Sequence, residues 1–186
     1  MIDAETYIAT VADWIRFWDG KVYDARVGPQ PATVGHLYDQ FVTNAGSELV
    51  TRQMHTCVVM APLQSVDTDF AVHDFMGHVS AHAYATSRGL PGLGTVEVAI
   101  AALVSPLVHA SAAAAANGPP PPTRWGMNRP VVVDLTTGDV HANVHGGSSF
   151  FAVANANLAP AANLRVRRLF PFPAELRRPP DHAPAD

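Results

Sequence analysis

Asp74, His78 and His82 stand four residues apart in succession, a spacing that places all three on one face of a helix. Imidazole and carboxylate are ligands for zinc or iron, and both also serve as proton donors and acceptors. Eight residues of helix rise about 12 Å, whereas metal bonds are about 2 Å long, so one divalent ion is within reach of a neighbouring pair only. The metal pair is then His78 and His82, with His36, His55, His109, His141 or His145 completing the shell. Without a metal, these are hydrogen-bonded or interface histidines and no cofactor is implied. Cys57 lies two residues after His55, on the same side if the segment is extended. A thiol beside an imidazole can act as a nucleophile, and a small buried hydrophobe is the plainer role for a lone cysteine. Asp67-Thr68-Asp69 could hold a cation through its carboxylates, and it fits a helix start, where acidic side chains satisfy free amides. Gly146-Gly147-Ser148-Ser149 is neither a phosphate loop nor a nucleophile elbow and reads as a turn.

Asp74-Phe75-Met76-Gly77-His78-Val79, followed by Tyr84, resembles the Asp-x-x-Gly-His-Val motif of hotdog-fold acyl-CoA thioesterases. The likeness covers about residues 67 to 84, and Ser80 and Ala81 stand where that family often has two asparagines. It implies a small hydrolase in which Asp74 is the reactive carboxylate and His78 belongs to the same catalytic turn.

The elements that must position these groups are read from periodicity. Residues 3 to 19 form an amphipathic helix capped by Asp3, with Tyr7, Val11, Trp14, Ile15 and Trp18 inward and Gly20 at its end. After Gly28-Pro29-Gln30-Pro31, the spacing of Val34, Leu37, Tyr38, Phe41 and Val42 predicts a second helix from about Thr33. Leu49 to Pro62 is extended, with a central buried strand near residues 55 to 61. A third helix runs from about Asp69 to Arg88, and Thr95 to Leu107 is assigned to a fourth, although its apolar run has no polar face. Residues 117 to 123, with four consecutive prolines, form an extended linker. Pro130 to Val144 is a β-hairpin around Thr136-Thr137-Gly138-Asp139, and Leu164 to Phe172 is a last strand. The expected fold is therefore α+β: a helical N-terminal two-thirds with a central strand, then a C-terminal sheet containing the hairpin. One domain spans residues 1 to 172, and 173 to 186 form a proline-rich tail.

Composition points to what the exterior meets. The chain has 12 basic and 16 acidic residues among 186, and 48% of its residues are apolar. Charged side chains are the usual solubilising cover, so their scarcity suggests a surface shielded by other chains. The expected function is a structural or assembly subunit of a homo- or hetero-oligomeric particle, virus- or phage-like, with a small hydrolase as the alternative. Phe150 and Phe151 are the apolar contact residues, and Arg165 and Arg167 lie at the rim. A net charge of -4 argues against a protein that mainly coats nucleic acid, although Arg165 to Arg178 contains five arginines able to meet phosphates. Val98 to Ala116 lacks charge but contains Pro106 and His109, which favours a buried segment over a membrane span. The first residues carry Asp3 and Glu5 where a signal peptide would be basic, so the expected location is the cytoplasm or a virion.

Overall fold

The computed structural model describes residues 2–45, 48–87, 95–120, 126–144 and 158–176, with the side chains of 41–52 and 158–159 left aside. A helix, α1 (Ala4–Phe17), opens the chain. Asp3 caps it by accepting from the Thr6 amide at 2.7 Å, and the Gly20 amide closes its end on the Ile15 carbonyl at 2.8 Å. Its inner stripe of Tyr7, Ile8, Val11, Trp14 and Ile15 is buried.

Three strands follow: β1 (Lys21–Val27), β2 (Gln30–Ala45) and β3 (Glu48–Pro62), antiparallel to one another. Val27 pairs with Gln30 across a two-residue turn whose first residue, Gly28, has φ of 59°. Glycine is the residue that accepts this backbone without strain, which fixes the hairpin register. The helix expected from Thr33 is thus a strand. Its spacing mimicked a helical face, but Thr33, Val34, Tyr38, Phe41, Val42 and Thr43 are β-branched or aromatic types that suit a pleated surface.

Helix α2 (Asp69–Thr86) then crosses to β4 (Thr95–Ser105), and α3 (Ala110–Asn117) crosses to β5 (Gly126–Asp134). Both crossovers are parallel, and β6 (Val140–Ala142) returns antiparallel beside β5. The six strands lie in sequence order in one mixed sheet, with α4 (Leu158–Leu169) and a short 3-10 turn (Pro173–Glu175) after it. The segment assigned to a fourth helix is β4. Every residue from Val96 to Ser105 is buried, and a central parallel strand covered on both faces shows no alternation from which to read a period. The last expected strand is likewise α4. Helices are therefore interspersed along the chain, not gathered in an N-terminal two-thirds, and the sheet is begun by residue 21. The first and third helices, the central strand and the hairpin after Pro130 stand where the sequence placed them.

Two apolar layers sandwich the sheet. Leu37, Val58, Met60, Ile100 and Val131 face α1 and α4, whereas Val34, Cys57, Val59, Ala101 and Leu103 face α2 and α3. Among the described residues no helix is long and apolar enough to cross a membrane.

Candidate functional site

Polar side chains interrupt the second of these layers at one place. Alternation along β2 and β3 puts His36, Tyr38, His55 and Cys57 on the α2 side of the sheet. Register completes the group: Tyr38 lies opposite His55, His36 opposite Cys57, and His55 opposite Glu97 of β4. Tyr23 comes from the edge strand β1, two residues past Lys21, which lies opposite His36, and His82 descends from the C-terminal half of α2.

These groups form a continuous chain of contacts. His55 Nδ1 lies 2.6 Å from Glu97 Oε1, His55 Nε2 lies 2.8 Å from His36 Nδ1, and His36 Nε2 lies 3.0 Å from the Tyr23 hydroxyl. That hydroxyl is also 3.3 Å from His82 Nε2. The rings are stacked: His36 on His55 with centroids 5.0 Å apart, Tyr38 on His55 at 4.6 Å, and Tyr23 on His36 at 5.6 Å. Along this chain of contacts Glu97 is 7% exposed, His55 fully buried and His36 6% exposed, and Tyr23, at 40%, opens to solvent.

The buried end carries the electrostatic demand. A carboxylate removed from water costs several kcal/mol unless it is paired and hydrogen-bonded. The His55 ring meets Glu97 off the line of a hydrogen bond, and neither carboxylate oxygen has an aligned donor among the described residues. Beside Glu97 is a small hollow of about 50 Å³, lined by Ser80, Tyr84, Gly126 and Asn128 among others, where Ser80 donates to Asn128 Oδ1 at 2.6 Å. Burial and the Glu97 charge push the Cys57 thiol up to about 12. It is therefore a packed hydrophobe and not a thiolate nucleophile. Burial raises the Tyr23 phenol above its ordinary value, with the nearby Cys57 and Tyr38 adding to the effect, and lowers the His82 imidazole. Both groups are neutral at neutral pH, the phenol as a donor and the imidazole with one free nitrogen.

Asp74 and His78 lie elsewhere on α2. They contact each other at 3.7 Å, both half-exposed, and the His78 ring packs against Gly28 of the β1–β2 turn. His78 and His82 thus serve different neighbours, and among the described residues no three His, Cys, Asp or Glu side chains converge as a metal shell. Thr68 caps α2 by accepting from the Ala71 amide at 3.2 Å, and Asp67 contacts His109 at 3.4 Å, which accounts for the acidic run. Arg165 is ion-paired with Asp39 and lies 5.6 Å over the Trp18 ring. Arg167 is exposed. Phe150, Phe151, His145, the Gly146 to Ser149 run, Arg177 and Arg178 lie outside the described residues.

Sequence reasoning named His36, His55 and His82 but tied them to a metal, or His55 to the Cys57 thiol, and it passed over Glu97 and Tyr23. The available signal was alternation: His36-x-Tyr38 and His55-x-Cys57 each mark one face of a strand. Assigning residues 33 to 45 to a helix hid it. Comparison of the chain with protein-family profiles, with curated proteins and with solved structures gives no match.

Proposed function

We propose that this chain is a small acid–base catalyst, a hydrolase of uncharged esters or thioesters, working at the mouth of the Tyr23-His36-His55-Glu97 cluster. The observation that carries the reading is the unbroken sequence of contacts from a half-exposed phenol to a buried carboxylate. Tyr23 is the group that meets the substrate. As water attacks the acyl carbon, its proton passes to the phenolic oxygen while the phenolic proton passes to His36 Nε2; the return of a proton to the leaving oxygen or sulfur restores both. His55 and Glu97 hold His36 in place and stabilise the positive charge that develops inward, a division of labour known from other imidazole sites.

The test is hydrolysis of p-nitrophenyl acetate and S-ethyl thioacetate by the wild type, Tyr23→Phe and Glu97→Gln, with the fold of each followed by circular dichroism. Wild-type turnover that falls about 10²- to 10⁴-fold in both variants supports the reading. Wild-type rates no greater than those of free imidazole at equal concentration overturn it.

A second reading, an assembly subunit, is favoured by a different observation. Phe70, 72% exposed, and Leu107, 54% exposed, lie at the end of the sheet where β3 and β4 finish, next to the Val66 to Val108 bridge. Large apolar side chains grouped on a surface poor in charge suit contact with another chain. Solution mass decides this one, as argued below.

A further inference from the structure

The contacts of Tyr23 extend past His36 to His82 of α2, and the donors and acceptors along them can be assigned in two opposite senses. With Glu97 taken as a carboxylate, its oxygen 2.6 Å away favours the proton of His55 on Nδ1. If His55 is neutral, its Nε2 accepts, and His36 must donate from Nδ1. The His36 Nε2 is then an acceptor for the Tyr23 hydroxyl, and the Tyr23 oxygen accepts from His82 Nε2–H. If His55 is instead doubly protonated, every bond in the chain reverses: His55 donates to His36, His36 to Tyr23, and Tyr23 to His82.

We infer that His82 is the solvent port of a proton wire that ends on the His55-Glu97 pair, and that the two hydrogen-bond polarities are its two states. A proton taken from water at His82 Nδ1 sends the Nε2 proton to the Tyr23 oxygen. The phenolic proton moves to His36 Nε2, and the His36 Nδ1 proton moves to His55 Nε2. One proton has entered at the surface, one positive charge appears on His55 beside Glu97, and no atom other than hydrogen has moved. The inference rests on the acid–base reading in that the wire runs through the same Tyr23-His36-His55-Glu97 contacts that the catalyst uses.

Position supports it. His82 is partly exposed whereas His36 and His55 are buried, so it is the imidazole of the chain that water reaches. The other titratable groups around this face are Lys21 of β1, opposite His36, Tyr38 of β2, Cys57 of β3, and Asp74, His78 and Tyr84 of α2. Cys57 is held as a neutral thiol, and Asp74 and His78 face each other across their own turn. None of these stands between His82 and Glu97 in the contact sequence.

The experiment follows the imidazole nitrogens of the ¹⁵N-labelled full chain by nuclear magnetic resonance as pH is lowered, together with exchange of the His55 ring N–H with water. His36 should change from the Nδ1–H to the Nε2–H tautomer and His82 from Nε2–H to Nδ1–H at one shared midpoint, at which His55 gains its second proton. His82→Gln keeps an N–H donor for Tyr23 but cannot relay, and Tyr23→Phe cuts the wire from the other side. Tyr23→Phe should slow His55 exchange by about 10²-fold and His82→Gln, which leaves water a direct approach to the Tyr23 oxygen, by about tenfold, with backbone spectra unchanged. Separate midpoints for the tautomers, or wild-type exchange in both variants, overturn the wire. Slowed exchange in a protein that hydrolyses neither ester nor thioester keeps the wire and rejects the hydrolase.

Discussion

Glu97 and Cys57 show how burial assigns roles that side-chain identity leaves open. The two are on the same side of neighbouring strands, yet one is a carboxylate held against His55 and the other a thiol pushed up to about 12. Iodoacetamide at pH 8 should therefore leave Cys57 unmodified in the folded protein and alkylate it after denaturation, as mass spectrometry will read; rapid labelling of the native state would return the thiol to the list of nucleophiles. His82 makes a pH-dependent contribution with a definite sign. Desolvation lowers its folded-state value below the ordinary 6.5, so the folded protein binds the proton less readily than the unfolded chain. The stability it contributes is full above that ordinary value and is lost as pH falls through the lower, folded-state one. Thermal unfolding followed from pH 7.5 downward should show Tm declining through this window, with a shallower decline in His82→Ala.

Strands and helices bring the cluster together, and their identity was only partly legible beforehand. The first and third helices carried caps and an apolar stripe on one side, so Asp3, Gly20 and Thr68 could be read as punctuation. Residues 33 to 45 and 95 to 105 could not, because spacing alone does not separate a strand of mixed apolar residues from a helix, nor a doubly covered strand from either. Since β2 bears His36 and Tyr38 while β4 bears Glu97, misreading those two segments dispersed the site. The close approach of β5 to β4 depends on Gly126, where an added methyl would run into the Glu97 backbone. Gly126→Ala should destabilise the fold by about 2 kcal/mol, measured by urea unfolding, because backbone cannot give way as a flexible side chain can. A change under about 0.5 kcal/mol would mean that β5 shifts freely at this rung.

For the molecule in solution, the exterior has few charges and bears Phe70 and Leu107 at one end of the sheet. Static light scattering should give a mass that is a multiple of the 19.8 kDa chain, and Phe70→Ser with Leu107→Ser should return it to the monomer. A wild-type monomer at high concentration would end the assembly reading and leave the acid–base one untouched. The two readings occupy opposite ends of the parallel strands, so both can hold in one protein.

That arrangement has an electrostatic consequence. In open sheets with parallel strands, ligands usually meet the strand ends from which helices depart, where exposed amides welcome phosphate and carboxylate. Here Glu97 and Asn128 occupy the entering ends of β4 and β5, His55 lies beside Glu97 in the middle of β3, and the covering helix presents its closing turns. Carbonyl dipoles and a buried carboxylate then repel anions together. Whatever molecule the cluster selects should approach with a neutral or cationic group foremost, and phosphorylated metabolites are turned away at its threshold.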